Sequence, residues 1–316
     1  MKPWIPVGAV LMTSVLLTAL GCQQSPETEV VSQTSEVPRP VSRVSHVLPE
    51  GQQFTVEGSP LVALSPDGSK MVYVANQQFY LMAMDTLVSS PIPGSDVDPS
   101  DPFFSPDGAW IAYWSQADGQ LKKIPVSGGA PVTLTDTAGD PLGRSNWRAD
   151  ETIVWGQDER VMRVSANGGT PEVLTEVPGA KLVYGPQILP DGRSVLFQAG
   201  GPVKGEVVVQ SLESGERKVL FPGLFPRYIS TGHLLYGLDD KLFAVPFDLT
   251  TLEAVGEPVS LYEGVRTRPL QYSVSDSGTF AWIPRSGQTE AGEPSRPQIN
   301  IIFNWFTELR ERVPVG

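Results

Sequence analysis

Apolar positions along residues 60–285 fall in short runs, and a turn-like segment precedes many of them. The clearest segments are Ser65-Pro66-Asp67-Gly68 and Ser105-Pro106-Asp107-Gly108, which lead into Met71-Val72-Tyr73-Val74 and Trp110-Ile111-Ala112-Tyr113. Pro presets the backbone of a turn, Asp bonds back to nearby amides, and Gly adopts the positive φ angle that the turn needs. Aromatic and branched residues then favour a buried strand. Each unit therefore predicts a tight turn followed by a strand.

The unit recurs along the whole body of the chain. Another strong copy, Leu189-Pro190-Asp191-Gly192, is accompanied by weaker copies that end at Glu151, Gly232 and Gly278. The six turn positions lie 40, 43, 41, 40 and 46 residues apart. This is the period of a four-stranded propeller blade, so we predict an all-β chain with a single six-bladed β-propeller. Two stacked β-sandwiches are the alternative, although they require no turn motif at a constant period.

The two ends of the repeat region predict how the propeller closes. The last blade has strands near residues 272–274, 280–283 and 299–303, and no fourth strand follows them. We expect residues 43–48 to pair into this blade, because pairing satisfies an otherwise open edge. The propeller then covers residues 43–304. Residues 305–316 form a short helix and tail, because the apolar side chains of this stretch have helical spacing.

Composition narrows the classes of function. The chain has 316 residues, with 31 Gly and 30 Pro, and a formal net charge of −12. So much Gly and Pro disfavours a helical bundle, and an acidic chain is a poor binder of nucleic acid. The chain contains a single cysteine, which excludes an internal disulfide framework and a cysteine-cluster zinc site. We therefore expect no nucleic-acid partner.

Residues 1–21 have the features of a secretory signal. Lys2 supplies a short positive start, an apolar run covers residues 7–20, and small residues precede Cys22. The segment Ala19-Leu20-Gly21-Cys22 resembles a bacterial lipobox, which implies that Cys22 is lipidated and anchors the protein to a membrane. An uncleaved transmembrane anchor is the alternative, but the run is short for spanning a bilayer. Residues 22–42 are polar and aperiodic, which predicts a flexible tether.

The repeated units resemble the TolB-type propeller family over about residues 43–304. Several segments are also similar to the extracytoplasmic propellers of bacterial membrane Ser/Thr protein kinases, among them Leu121 to Val132, Thr231 to Tyr236 and Phe243 to Asp248. No Gly-rich loop, His-Arg-Asp or Asp-Phe-Gly motif is present, so we expect no kinase activity. The resemblance implies a protein partner in the bacterial cell envelope, and Gln23 after Cys22 favours the outer membrane and its periplasmic face.

Few residues point to catalysis or to metal binding. His46 and His233 are far apart, and we interpret both as structural histidines with satisfied hydrogen bonds. The carboxylates at residues 96, 98, 101 and 107 lack the Gly and the distal Glu of a calcium loop. We interpret them as solvated loop acids, with Asp107 used in its own turn. We therefore expect no metal, no cofactor and no catalytic residue.

The loops that precede the inner strands are expected to crowd one mouth of the central channel. Aromatic and Arg side chains, which are enriched in binding hot spots, occur there. The predicted binding face consists of Asp101, Arg144, Trp147, Tyr184, Arg227, Tyr228, Arg268 and Tyr272. Packing between blades is the alternative role for these residues. We expect a non-catalytic, membrane-tethered binding or scaffold protein. The alternatives are a propeller enzyme acting on glycans or peptides, and a sensor domain related to kinase receptors.

Overall fold

Each predicted turn joins the first two strands of an antiparallel sheet in the computed structural model, which describes residues 40–55, 59–136, 143–265, 271–285 and 296–315. The described residues form six sheets that are arranged as the blades of a propeller. The N-terminal strand β1 (Ser42–Val47) belongs to the last of them. The six-bladed fold predicted from the repeat is confirmed.

The first three blades each contain four strands in sequence order. Blade 1 is formed by β2 (Val62–Leu64), β3 (Lys70–Ala75), β4 (Gln78–Ala83) and β5 (Val88–Pro91). Blade 2 is formed by β6 (Pro99–Phe104), β7 (Trp110–Ser115), β8 (Gln120–Pro125) and β9 (Val132–Asp136). Blade 3 is formed by β10 (Asn146–Trp147), β11 (Thr152–Gln157), β12 (Arg160–Ser165) and β13 (Glu172–Glu176).

The last three blades continue the pattern with one irregularity in blade 5. Blade 4 is formed by β14 (Val183–Ile188), β15 (Ser194–Gly200), β16 (Gly205–Ser211) and β17 (Arg217–Pro222). Blade 5 is formed by β18 (Leu224–Ile229), β19 (His233–Leu238), β20 (Lys241–Asp248), β21 (Glu253–Ala254) and β22 (Val259–Glu263), with β21 and β22 both paired to β20. Blade 6 contains β23 (Tyr272–Val274), β24 (Phe280–Trp282) and β25 (Gln298–Phe303).

The N-terminal strand closes the ring. Strand β1 pairs antiparallel with β25, with Ser42 opposite Phe303 and Val47 opposite Gln298. The side chain of Ser45 also donates a hydrogen bond of 2.8 Å to Asn300. Blade 6 therefore obtains its outermost strand from the other end of the sequence, which confirms the predicted closure.

The repeated turns share one backbone conformation. The residue at the end of every motif has a left-handed φ angle, including Glu151, where the other blades have Gly. The φ values are 70° at Gly68, 65° at Gly108, 61° at Glu151, 68° at Gly192, 81° at Gly232 and 89° at Gly278. Because this angle is costly for most side chains, Gly is the residue that the turn selects.

Aromatic side chains fill the spaces between blades. Phe79 of blade 1 packs edge-on against Tyr113 of blade 2, with ring centroids 5.1 Å apart. Trp114 of blade 2 and Trp155 of blade 3 pack in the same way at 5.7 Å. Such edge-to-face contacts add to the stabilisation that comes from burial itself. The aromatic residues that follow each turn therefore join neighbouring blades.

The C-terminal helix α1 (Trp305–Arg312) packs on blades 5 and 6. Trp305 is fully buried, stacks on Phe280 at 4.7 Å and donates a hydrogen bond of 2.8 Å from its indole nitrogen to the Tyr262 hydroxyl. Leu309 is also fully buried. These contacts confirm the predicted helix. Among the described residues, no helix is long and apolar enough to cross a bilayer.

Candidate functional site

A cavity of about 330 Å³ lies between the inner strands of the propeller. A second cavity of about 160 Å³ shares Gln187, Arg227, Val274 and Asp276 with the first. At one end, the two cavities together are lined by the second residue of the four-residue turn motif of every blade, which lies two residues before the last residue of the motif. We call this end the turn mouth, and its six residues are Pro66, Pro106, Ala149, Pro190, Ser230 and Asp276.

The turn mouth is accessible because its residues are exposed or half-buried. Pro66 and Pro106 are half-buried, whereas Ala149, Pro190, Ser230 and Asp276 are exposed. Pro at this position presets the turn backbone, and Asp276 is the one charged member of the set. The repeat therefore builds a rim of small, mostly uncharged side chains.

Asp101 of blade 2 lies on the wall of the larger cavity and is almost fully buried. Its carboxylate accepts hydrogen bonds from the backbone N–H groups of Arg144 and Ser145, at 2.9 and 3.0 Å, and from the Ser145 hydroxyl at 3.1 Å. Burial raises the pKa of Asp101, while these hydrogen bonds and the charge of Arg144 oppose the rise. Asp101 therefore ties blade 2 to blade 3, and the expectation of a solvated loop acid is wrong for this residue.

Arg144 extends from blade 3 to blade 6. Its guanidinium donates a hydrogen bond of 2.5 Å to the Tyr272 carbonyl and lies 4.3 Å from the centre of the Tyr272 ring. Burial lowers the pKa of Arg144, and the nearby positive charge of Arg227 lowers it further. Tyr272 is fully buried and packs against Phe280. This contact crosses the channel and joins two blades that are not neighbours in sequence.

Arg227 of blade 5 has a different environment. It is half-buried and lines both cavities, and its guanidinium forms no hydrogen bond or ion pair with any described residue. Its neighbour Tyr228 is held by Gln187 of blade 4, which accepts a hydrogen bond of 2.8 Å from the Tyr228 N–H and donates one of 3.0 Å to the Tyr228 carbonyl. The strand that bears Arg227 is therefore fixed, while its guanidinium is available to a ligand.

The structure divides the predicted binding face. Asp101, Arg144, Trp147 and Arg227 line the larger cavity, and Tyr228 lines the smaller one with Arg227. Tyr184 packs edge-on against Phe225 at 5.7 Å, and Tyr272 is buried, so both have the packing role that was the alternative. Arg268 and Cys22 lie outside the described residues.

Most of these side chains belong to inner strands rather than to loops. Asp101 is within β6, Tyr184 within β14, and Arg227 within β18. Sequence reasoning missed the residues of the turn mouth as lining residues. The repeat itself carries the signal, because equivalent motif positions in a closed ring must lie around its axis.

The remaining candidates for metal or acid–base chemistry have structural partners. Asp107 accepts hydrogen bonds from the Ser105 hydroxyl and the Ala109 N–H, as its turn requires. His233 is buried and bonds Thr231 through Nδ1 at 2.9 Å and the Val313 carbonyl through Nε2 at 2.7 Å. The expected structural role is confirmed for His233.

His46 departs from its expected role in one respect. It packs near Tyr73, but its buried Nε2 atom has no hydrogen-bond partner in the described part of the chain, so the expectation of a satisfied ring is wrong there. Within the described ranges, no group of three or more His, Cys, Asp or Glu residues is arranged to hold a metal ion.

Comparison with known proteins supports the fold rather than an activity. No family model matches the chain. An uncharacterized protein of Agrobacterium fabrum is 27% identical over 159 residues, which cover 44% of this chain and 54% of that protein. The match thus spans about half the length of that curated relative.

Solved structures show the same architecture at low sequence identity. A putative TolB from Agrobacterium tumefaciens is 15% identical with a TM-score of 0.53, over 78% of this chain and 91% of that one. The PQQ-bound aldose sugar dehydrogenase of Streptomyces coelicolor is 14% identical with a TM-score of 0.51, over 83% and 99%. Because one of these neighbours is an enzyme, the shared fold does not distinguish binding from catalysis.

Proposed function

We propose that this protein is a non-catalytic binding protein of the bacterial cell envelope, anchored by lipid at Cys22 and directed toward a protein partner. One observation carries the proposal: two adjoining cavities whose accessible rim together takes the same motif position from all six blades. A rim of this kind presents a continuous ring of backbone and small side chains, which suits recognition of a partner segment. We assign recognition to the turn mouth and to Arg227 beneath it.

The two buried charged residues of the larger cavity already have hydrogen-bond partners, which supports binding rather than catalysis. Asp101 already accepts three hydrogen bonds, and Arg144 is held against Tyr272. A general acid or base needs an unengaged group within reach of its substrate, so these two residues are better suited to holding blades together. The resemblance to TolB-type propellers and to kinase-linked sensor propellers supports the same role.

A photo-crosslinking amino acid at the turn mouth tests the site of recognition. We would place it at Ser230, with Val88 as the matched control, because Val88 lies on an outer strand and is 66% exposed. Irradiation of intact membranes is expected to give a discrete adduct from Ser230 and none from Val88. Equal adducts from both positions, or turnover of a peptide or glycan library by the purified protein, would overturn the proposal.

The anchor is tested separately by Cys22→Ser. Stable anchoring requires several acyl chains, so loss of the acylated cysteine is expected to move the protein from the membrane pellet to the soluble fraction. Fractionation followed by immunoblotting measures this shift. Retention of the variant in the pellet would contradict lipidation at Cys22.

A further inference from the structure

The charged side chains that line the two cavities differ in whether they have hydrogen-bond or ion-pair partners. Asp101 and Arg144 are engaged with backbone groups and with each other's strands. Asp276 is exposed at the rim. Arg227 is half-buried, and it is the charged residue of the inner wall whose side chain forms no hydrogen bond or ion pair with a described residue. The wall therefore presents one guanidinium without a described hydrogen-bond partner, and Asp276 carries the opposite charge at the rim of the same cavities.

The two arginines of the wall are close enough to interact. Both line the larger cavity, and the charge of Arg227 lowers the pKa of Arg144, as repulsion between like charges does. An anion bound at Arg227 would relieve this repulsion as well as form its own ion pair. Charge-assisted pairs between Arg and a carboxylate are among the stronger hydrogen-bonded contacts in proteins. The site is therefore better matched to an anion than to a neutral group.

The rest of the wall defines the ligand further. Asn146 and Ser273 are half-buried polar residues on the same wall, and the Ser273 oxygen accepts a hydrogen bond of 3.0 Å from the Leu64 N–H, which leaves its O–H to donate. Most of the other lining residues are apolar. A cavity of about 330 Å³ is at the small end of the range for ligand pockets. Because polar atoms make up the larger part of the surface that faces the cavity, the space suits a small carboxylate.

We propose that the cavity behind the turn mouth binds a carboxylate on a slender stem, with Arg227 as the residue that pairs with it. This inference rests on the proposed function, because it names the chemistry by which a partner segment would be recognised there. An acidic side chain in an extended peptide is the source that fits a protein partner, and a free fatty-type acid is the other source of the same chemistry.

Isothermal titration calorimetry on the purified full chain tests the proposal with three probes. The first is an acetylated, amidated Ala-Leu-Glu-Leu-Ala peptide, the second is the same peptide with Gln in place of Glu, and the third is hexanoate. The Glu peptide is expected to bind, and the Gln peptide is expected to bind at least tenfold more weakly. Stronger binding by hexanoate than by the Glu peptide would assign the carboxylate to a small molecule.

Arg227→Gln is expected to weaken binding of the acid probe by about tenfold to hundredfold, the range for a lost charged hydrogen bond. Arg193→Gln is the matched control, because Arg193 is an exposed residue that follows the turn of blade 4. It is expected to leave the affinity within twofold of the wild type. The comparison of Glu and Gln peptides on the wild-type protein gives the same information if Arg227→Gln does not fold.

Three results would overturn the inference: equal affinity for the Glu and Gln peptides, an unchanged affinity in Arg227→Gln, or no binding of either acid at millimolar concentration. The failure of this inference can be told apart from failure of the proposed function. A discrete crosslink at Ser230 without carboxylate dependence leaves the binding function intact and removes only the ligand assignment. Binding of the acid probe that depends on Arg227, without a crosslinked partner at Ser230, supports the ligand assignment and counts against a protein partner.

Discussion

Alanine substitutions at equivalent turn glycines should have unequal effects, because the turns share a backbone but not an environment. Gly192 has a φ of +68° and nothing within 4 Å of the position that a Cβ would take. Gly278 has a φ of +89°, and its Cβ would lie 2.9 Å from Cγ and Cδ2 of Phe306 on the C-terminal helix. The pair therefore separates backbone strain from steric conflict.

The magnitudes follow from these distances. A left-handed conformation costs an L-residue about 1–2 kcal/mol, and part of this is offset because alanine restricts the unfolded chain by about 0.4–1 kcal/mol. Gly192→Ala should thus lower the free energy of unfolding by about 1 kcal/mol. Gly278→Ala adds an overpacking cost of about 1–3 kcal/mol, because Phe306 is packed against the turn and has little room to move.

Urea denaturation followed by tryptophan fluorescence measures both changes. Glu151→Gly is the reverse control, since Glu151 already carries a Cβ at a φ of 61°, and it should leave stability unchanged or raise it slightly. Loss of stability in Gly278→Ala that equals the loss in Gly192→Ala, within about 0.5 kcal/mol, would refute the steric argument. It would mean that helix α1 shifts to accommodate the added methyl group without a measurable loss of stability.

Three further predictions concern the stability of the propeller, each measured by urea denaturation. Asp101→Ala should destabilise by about 3–5 kcal/mol, because it leaves buried donors and Arg144 uncompensated; a loss below 1 kcal/mol would contradict the proposed link between blades. Leu309→Ala should lower the free energy of unfolding by about 2–5 kcal/mol, because it truncates a fully buried side chain of helix α1. An unchanged unfolding transition would show that the helix contributes little to folding. Hydrogen bonds from Ser65 and Ser69 lower the pKa of Asp67 to about 2, against 3.8 for the free group. The folded state therefore gains stability from ionised Asp67 above pH 3.8 and loses it as the pH falls toward 2, so Asp67→Asn should flatten this part of the pH profile; an unchanged slope would rule this out.

The fold was accessible from the sequence because local and global signals agree. The turn chemistry fixes one hairpin in each blade, and the spacing of the turns fixes the number of blades. Even Glu151, which lacks the expected Gly, adopts the left-handed angle of its equivalents. The closing strand was predictable for a simpler reason: a blade with three strands leaves an edge, and one unused strand was available.

The candidate site was harder to predict from the sequence because its contacts do not repeat from blade to blade. Asp101 lies close in sequence to Asp96 and Asp98, and no local pattern shows that the N–H groups of Arg144 and Ser145 converge on its carboxylate. Likewise, nothing near Arg227 in the sequence shows that its guanidinium lacks a partner among the described residues. Such contacts depend on how blades pack, which the period alone does not specify.

The closure by β1 and β25 also sets the order in which the chain can complete its fold. Ser45 and Asn300, which bond one another across this seam, are separated by 255 residues. Strand β1 must therefore wait until β25 has been synthesised before it finds its partner, and contacts of such long range slow the final step of folding. A chain cut short before Phe303 would leave both ends of the propeller without a complete ladder. Folding of the propeller should thus finish in a single late event that pairs β1 with β25.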